Sequence, residues 1–410
     1  MKNSFSKVNI APEMQSVPNP NDRISLNDLP HELLEHVCKN MRAVDLHSLR
    51  RVSRKMDDAT LPFVLTTVHV FFLQSGFDRL AHVSKHPVFR QQVRTIYYHP
   101  FRIRFYRTIF DYRLGVRDRM EPSQFRKFFG VNPDKYLTVS HSKWKECFDE
   151  HQRLYDQQTE LLKGSCLADL MADPLDAFPK LESVIVAPSY APYLNLEKFF
   201  KDRAPLNHLM RQYVRGGEIT DKVAAPGGRL SQHPTAIVNA VARAKVNLSH
   251  LSLHFVTATF FEISNLSQHH LQVAFSHVKV FHLYVDLINV TDQWILGLMR
   301  LFAFCEALEE LCLELALRGH RTISNMVTRA SDILGDHSAL PNLRSVTLKR
   351  GWLRQDPFYR FIANRQPHLT HIDMQNCKFT EGSRSQLKKR VANILPGGSL
   401  FSVSKSWESM

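Results

Sequence analysis

The chain reads LNDLPHELLEHV from Leu26 to Val37 and DLHSLRRVSRKM from Asp45 to Met56. Pro30 suits the first turn of a helix, where its missing N–H costs nothing and its fixed φ is already helical. Asp28 just before it is a candidate cap. Leu33, Leu34 and Val37 recur at steps of three and four, which predicts an amphipathic helix. Asp45 is a candidate N-cap for a second helix. Leu46, Leu49 and Val52 would share one face of it, with Arg50, Arg51, Arg54 and Lys55 mostly on the other. A module of about 40 residues builds little core alone. Its apolar face is therefore expected to be buried against a partner or a following domain.

The order Leu29-Pro30-x-Glu32-Leu33-Leu34, the spacing from Val37 to Asp45 and the Val52-Ser53-Arg54 ending together resemble an F-box. Met56 stands where that family usually has an aromatic. The resemblance implies a three-helix module over residues 22–62 that docks on the Skp-type adaptor of a Skp–cullin–F-box ubiquitin ligase. It implies Leu29, Pro30, Leu33, Leu34, Val37, Leu46, Leu49 and Val52 as the adaptor-binding residues. The remainder, 63–410, would then recruit an unknown protein substrate for ubiquitination. The covalent chemistry would belong to other subunits, so the chain itself is expected to be neither an enzyme nor a cofactor carrier.

A second pattern, apolar-x-x-apolar-x-apolar, occurs at Leu181/Val184/Val186, Leu248/Leu251/Leu253, Val280/Leu283/Val285, Leu308/Leu311/Leu313, Leu343/Val346/Leu348 and Leu369/Ile372/Met374. Val93/Ile96/Tyr98 fits it as an earlier strand. Helix-like stretches lie between, including Thr291–Cys305 with Asp292 as a candidate cap, Pro357–Asn364 and Glu381–Leu395. A short strand plus a helix repeated every few tens of residues is the signature of a leucine-rich-repeat solenoid, in which each unit buries its apolar face against the next. The repeats are irregular, and only Met374-Gln375-Asn376-Cys377 approaches the full consensus. The predicted fold is thus α/β: a three-helix F-box, then an irregular leucine-rich-repeat-like solenoid. A helical insertion is expected at about 101–176, centred on Ser142–Lys163. With His82–Tyr98 (HVSKHPVFRQQVRTIYY) included, the layout resembles fungal F-box proteins with degenerate leucine-rich repeats.

Composition narrows the function classes. No run of about 18 apolar residues exists, so no membrane span is expected. Residues 1–21 lack an apolar stretch and read as a disordered polar tail. Arg215–Pro234, with its paired glycines, reads as a loop. The six cysteines are scattered without a C-x-x-C pair. That usage suits reduced thiols in the cytoplasm or nucleus. The net charge of +14 admits an anionic partner. Part of it is local: Arg102, Arg104, Arg107, Arg113, Arg117, Arg119, Arg126 and Lys127 alternate with aromatics between Phe101 and Phe129. Such a cluster can bind nucleic acid, which is the alternative function. It also arises when amphipathic helices bury their aromatics and solvate their arginines, and that reading is preferred because no nucleic-acid module surrounds it.

No phosphate-binding glycine loop and no nucleophile elbow is present. The histidine pairs His82/His86, His250/His254 and His368/His371 lack the further ligands a metal site needs, so no metal and no catalytic residue is assigned. The repeat reading does assign an outward-facing ladder, because residues between buried strand positions point to the other face. It comprises His250, Ser252 and His254; His282, Tyr284 and Asp286; Glu310, Cys312 and Glu314; Ser345, Thr347 and Lys349; and His371, Asp373 and Gln375. Among these, His254, His282, Tyr284, Asp286, Glu310, Glu314, Lys349 and Asp373 are the candidate substrate-binding residues.

Overall fold

A computed structural model describes residues 25–100, 103, 105–120, 122–163, 166–187, 232–256, 260, 267–286, 292–316, 340–350, 352–365, 368–392 and 400–404. The tail 1–21, most of the 215–234 loop, Thr291, Arg102 and Arg104 fall outside them. The chain forms two compact units, Met1–Val64 and Leu65–Met410.

The first unit holds a 3-10 turn (Leu26–Asp28) and three helices, α1 (His31–Lys39), α2 (Ala43–Leu49) and α3 (Arg54–Val64). Both expected caps are displaced. The Asp28 carboxylate accepts from the Ser25 N–H at 3.0 Å and closes the turn before α1. Pro30 itself occupies the cap of α1, where no side chain bonds the first amides. The second helix starts at Ala43, so Asp45 lies in its first turn and takes a 2.8 Å bond from Arg42. A carboxylate there still favours the helix by facing its free N–H groups. Leu34, Cys38, Leu46, Met56 and Ala59 form the unit's small core, with Leu29, Met41, Leu49, Phe63 and Val64 packed against it. Met56 is 1% exposed and fills its place despite not being aromatic. Lys55 Nζ donates to the carbonyls of Asn27 and Leu29, which ties the first turn to α3.

The second unit is built on a nine-stranded, all-parallel sheet. Its strands are β1 (Thr67–Phe71), β2 (Thr95–His99), β3 (Ser183–Val186), β4 (His250–Val256), β5 (Val280–Asp286), β6 (Glu310–Ala316), β7 (Ser345–Lys349), β9 (His371–Gln375) and β11 (Leu400–Ser404), side by side in chain order. Two short strands, β8 (Trp352–Arg354) and β10 (Lys378–Glu381), pair separately. The helices between strands, including Gln74–Lys85, Cys166–Asp176, Gln232–Ala244, Gln268–Phe275 and Gln355–Ala363, pack on one face of the sheet and form a single core with it. Parallel neighbours need such crossovers, and the helices cover the buried face.

Register fixes the repeat frame. Val184, Leu251, Phe281, Leu311, Val346 and Ile372 are successive partners across the sheet. The unit at β5 is therefore Val278/Phe281/Leu283, all buried, and not Val280/Leu283/Val285. Val280 pairs with His250 and Glu310 on the opposite face. Valines at both 278 and 280 gave the sequence two equally apolar frames, and only the hydrogen-bond ladder separates them. The buried alternation of β2 matches the same frame, with Ile96 beside Val184 and Tyr98 beside Val186.

The stretch between β2 and β3 contains two environments. Residues 105–161 carry their own aromatic core of Tyr106, Tyr112, Val116, Met120, Phe125, Trp144 and Cys147. Helix Cys166–Asp176 instead joins the sheet core through Leu167, Met171 and Leu175. The buried Gln158 of helix His141–Leu161 stitches the two together. Its Nε2 donates to Phe72 O and its Oε1 accepts from Ile103 N, each at 2.7 Å. A glycine is required at position 76, where a Cβ would stand 2.2 Å from Phe71 O.

Two stability outcomes follow from these contacts. Leu311 is fully buried, and truncating such a leucine to alanine costs about 2–5 kcal/mol. Glu310→Ala beside it should stay within about 0.5 kcal/mol. Urea denaturation of the full chain reads both, and a Leu311→Ala loss as small as that of Glu310→Ala contradicts the packing. Gln158→Ala strands a buried carbonyl and a buried N–H, each costing about 1–3 kcal/mol. It should destabilise the 105–161 segment first, seen as faster amide exchange there than in β4–β7.

Candidate functional site

In the first unit the candidate site is apolar. Leu26, Leu33, Val37, Val44 and Val52 are 48%, 52%, 38%, 64% and 65% exposed. These are five of the nine large exposed hydrophobic residues found among the described residues, within 27 positions of the chain. Leu33 and Val37 stand one turn apart on α1, so they share a face. Solvated apolar side chains at this density make the unit a candidate protein-docking surface. The eight residues expected there divide. Pro30, Leu33, Val37 and Val52 are exposed, and Leu29 and Leu49 are half-buried. Leu34 and Leu46, at 1% and 3% exposure, lie inside the module and support the surface from beneath. A helix so short needs part of its stripe for its own core, which is why those two turn inward. Leu26, although it precedes Leu29, Leu33 and Val37 at steps of three, four and four, and Val44 were not among the residues expected there.

Residues 26–56 match the family model of the F-box domain. The chain carries an F-box domain. F-box domains bind Skp-type adaptors of cullin ubiquitin ligases. No curated protein matches the chain.

In the second unit the sheet face opposite the described helices of the core carries the outward ladder. Alternation and register arrange it in rows. One row runs His69, Tyr97, Ile185, Ser252, His282, Cys312, Thr347, Asp373. The next, nearer the strands' C-terminal ends, includes Tyr284, Glu314, Lys349 and Gln375. His254 joins it by stacking on Tyr284, ring centroids 5.7 Å apart. The structure thus brings His254, His282, Tyr284, Glu310, Glu314, Lys349 and Asp373 onto one surface. The side chain of Asp286 lies outside the described residues. Ser252 points the expected way but is small enough to be covered, at 2% exposure.

The same face extends to β1 and β2, where His69, Phe71, Tyr97 and His99 cluster. His69 Nδ1 lies 3.1 Å from His99 Nε2, and Phe71 stacks on His99 at 4.7 Å. The strict alternation Thr67-x-His69-x-Phe71 and Thr95-x-Tyr97-x-His99 was the signal for it. Burial pushes His99 down to about 3 and His254 down to about 4, with neighbouring charge adding to each. Burial lowers His69, His250 and His282 as well. At neutral pH these imidazoles are uncharged. The remaining charges are Glu310, Glu314 and Asp373 against Lys349 and the adjoining Arg350. Arg350 pairs with Glu314 at 3.3 Å, and Gln375 donates to Asp373 at 2.6 Å. His282 Nε2 stands 3.9 Å from Glu310, too far for a hydrogen bond. Burial also raises the Cys312 thiol, so it is not activated as a nucleophile. No cluster of three metal-ligating side chains occurs among the described residues, and no described helix is long and apolar enough to cross a membrane.

The basic, aromatic segment has a different character. Tyr106, Tyr112 and Phe125 are interior, with Phe105 and Phe110 exposed. Arg117 pairs with Asp118 and lies 5.0 Å over the Tyr136 ring, and Arg113 lies over Trp144. Lys143, Arg153 and Lys163 pair with Glu146, Glu150 and Glu160. Of the cluster's described cations, Arg117 is paired with a carboxylate, while Arg113 and Arg126 bond the neutral groups of His141 and Asn132, and most of the described rings are committed to packing. Arg102 and Arg104 lie outside the described residues, as does the side chain of Arg119.

The histidines give a pH dependence with a definite sign. Their folded pKa values are depressed, so the unfolded chain binds more protons below its own histidine pKa of about 6.5. Stability is full above that pH and falls as pH drops from about 6.5 toward 4. Each depressed histidine contributes a slope of up to about 1.4 kcal/mol per pH unit. His254→Gln should flatten the curve between pH 6 and 4.5. An unchanged slope in urea titrations at those pH values contradicts the burial of His254.

Proposed function

We propose that this chain is the substrate-recognition subunit of a Skp–cullin–F-box ubiquitin ligase. The observation that carries the reading is the F-box match over residues 26–56 coinciding with five solvated apolar side chains. The F-box unit docks on a Skp-type adaptor through Leu33, Val37 and Val52 with Leu29, Pro30 and Leu49, while Leu34 and Leu46 hold the helices in place. The second unit is a degenerate leucine-rich-repeat-like array of the kind met in fungal F-box proteins. Its consecutive parallel strands and recurring frame support that assignment. It presents the sheet face opposite the described core helices to a target protein, and ubiquitin transfer is left to partner subunits. The work belongs to the cytoplasm or nucleus, where such ligases operate.

Buried apolar anchors at an interface centre cost about 2 kcal/mol or more each when truncated. Leu33→Ala combined with Val37→Ala should therefore abolish capture of the Skp-type adaptor from purified components, with thermal unfolding unchanged. Leu34→Ala should instead melt the F-box unit. Full adaptor binding by the Leu33/Val37 double variant rules out this docking surface.

A further inference from the structure

The turn between α2 and α3 reads Arg50-Arg51-Val52-Ser53-Arg54-Lys55, and Arg50-Arg51 is the only pair of adjacent arginines in the chain. Arg51, Val52, Arg54 and Lys55 are exposed, and Arg50 and Ser53 are half-buried. The Ser53 hydroxyl donates to Asn27 Oδ1 at 2.9 Å and accepts from the Met56 N–H at 3.2 Å. Val52 directly before it is 65% exposed and belongs to the apolar docking surface. The turn is closed by local bonds alone, Arg51 N–H to Ser48 O at 3.2 Å and Val52 N–H to Leu49 O at 3.0 Å. The helix before it, α2, has seven residues, too few to hold its end firmly by itself. Arg50 pairs with Asp57 at 2.5 Å, a part-exposed contact for which water competes. The segment can therefore open and present its two arginines and its hydroxyl in extended form.

We propose that Ser53 is a phosphorylation site for a protein kinase that reads basic residues, and that its phosphate switches off docking of the F-box unit on the adaptor. This rests on the docking surface proposed above and adds its regulation. Protein kinases choose substrates by charge pattern, and arginines shortly before the hydroxyl pair bidentately with carboxylates of a kinase cleft. In the transfer, Ser53 Oγ bonds to the γ-phosphorus of ATP while the bond from that phosphorus to the β–γ bridging oxygen breaks. ADP leaves with the electron pair, and the hydroxyl proton passes to the catalytic aspartate of the kinase. The product carries nearly two negative charges beside Val52. Such a group keeps its water, so Val52 can no longer be desolvated against an apolar partner surface. The module itself stays folded. The phosphoserine oxygens still accept from the Met56 N–H, and Lys55 still ties the first turn through the carbonyls of Asn27 and Leu29. Docking in turn covers the site, so the adaptor-bound chain resists the kinase.

The test incubates the purified full chain with ATP and the catalytic subunit of cyclic-AMP-dependent protein kinase, a kinase that requires paired arginines. Mass spectrometry should find phosphate on Ser53. Ser53→Asn, which keeps a capping oxygen, and Arg51→Ala should each remove it. The phosphorylated chain should bind the purified Skp-type adaptor at least tenfold more weakly than the unmodified chain, with thermal unfolding unchanged, and phosphatase treatment should restore binding. A complex formed before the kinase is added should be labelled at least tenfold more slowly. No phosphate on Ser53, labelling unaffected by Arg51→Ala, or equal adaptor binding with and without the phosphate overturns the proposal. Weakened binding accompanied by melting of the F-box unit overturns it too, because the phosphate then acts on folding and not on docking. If the unmodified chain fails to capture the adaptor, the docking reading falls and the switch with it. If it captures the adaptor and the phosphorylated chain does so equally, only the switch is lost.

Discussion

The hydrogen-bond register of the nine parallel strands is the constraint on which the second unit depends. Once Leu251, Phe281, Leu311, Val346 and Ile372 stand abreast, every second side chain is committed to the helix-covered core and every other one to the opposite face. A slip of one residue would bury His282, Glu310 and Asp373 and expose five large apolar side chains. The hydrophobic cost of that exchange, at about 25 cal/mol per Å2 of apolar surface, excludes it. The polar rows are thus a by-product of the core, since every second side chain points away from the described helices packed on one side.

The F-box unit solves the opposite problem. With so few residues it cannot enclose all its apolar side chains, so Leu34, Cys38, Leu46, Met56 and Ala59 go inside and Leu33, Val37, Val44 and Val52 stay in water. What is a deficit for the isolated module would, in the proposed role, be binding energy for the adaptor. The two units therefore offer contrasting chemistry, one apolar and short-range, the other polar and dependent on charge placement.

The face gains its character from small departures from regularity. Arg350, left-handed at the end of β7, pairs with Glu314, the cross-strand neighbour of Lys349. Burial keeps His254, His282 and His99 neutral, which lets a histidine-rich surface sit in a strongly basic protein without adding to its charge. Gln158 and the Tyr98–His233 hydrogen bond of 2.7 Å place polar links inside otherwise apolar packing. They hold the inserted helices and helix Gln232–Ala244 to the sheet.

The sequence by itself determined the F-box, because Leu29-Pro30-x-Glu32-Leu33-Leu34 and its follow-on helix are local signals within one or two turns. It likewise determined the parallel α/β character, which follows from a strand-plus-helix unit repeated along the chain, and the strands at Leu251, Leu311, Val346 and Ile372 with their outward ladder, which follow from a period of two. Tertiary structure decided what depends on distant neighbours. It set the frame at Val278, where two valines were equivalent locally. It moved the caps from Asp28 and Asp45, since helix starts answer to packing as well as to side-chain oxygens. It sent Leu34 and Leu46 inward while Leu33 and Val37 stayed out, because all four are apolar and only three-helix packing ranks them. It also paired Glu314 with Arg350 and not with its cross-strand neighbour Lys349, since ion pairing is fixed by distances of a few ångströms that no linear spacing encodes.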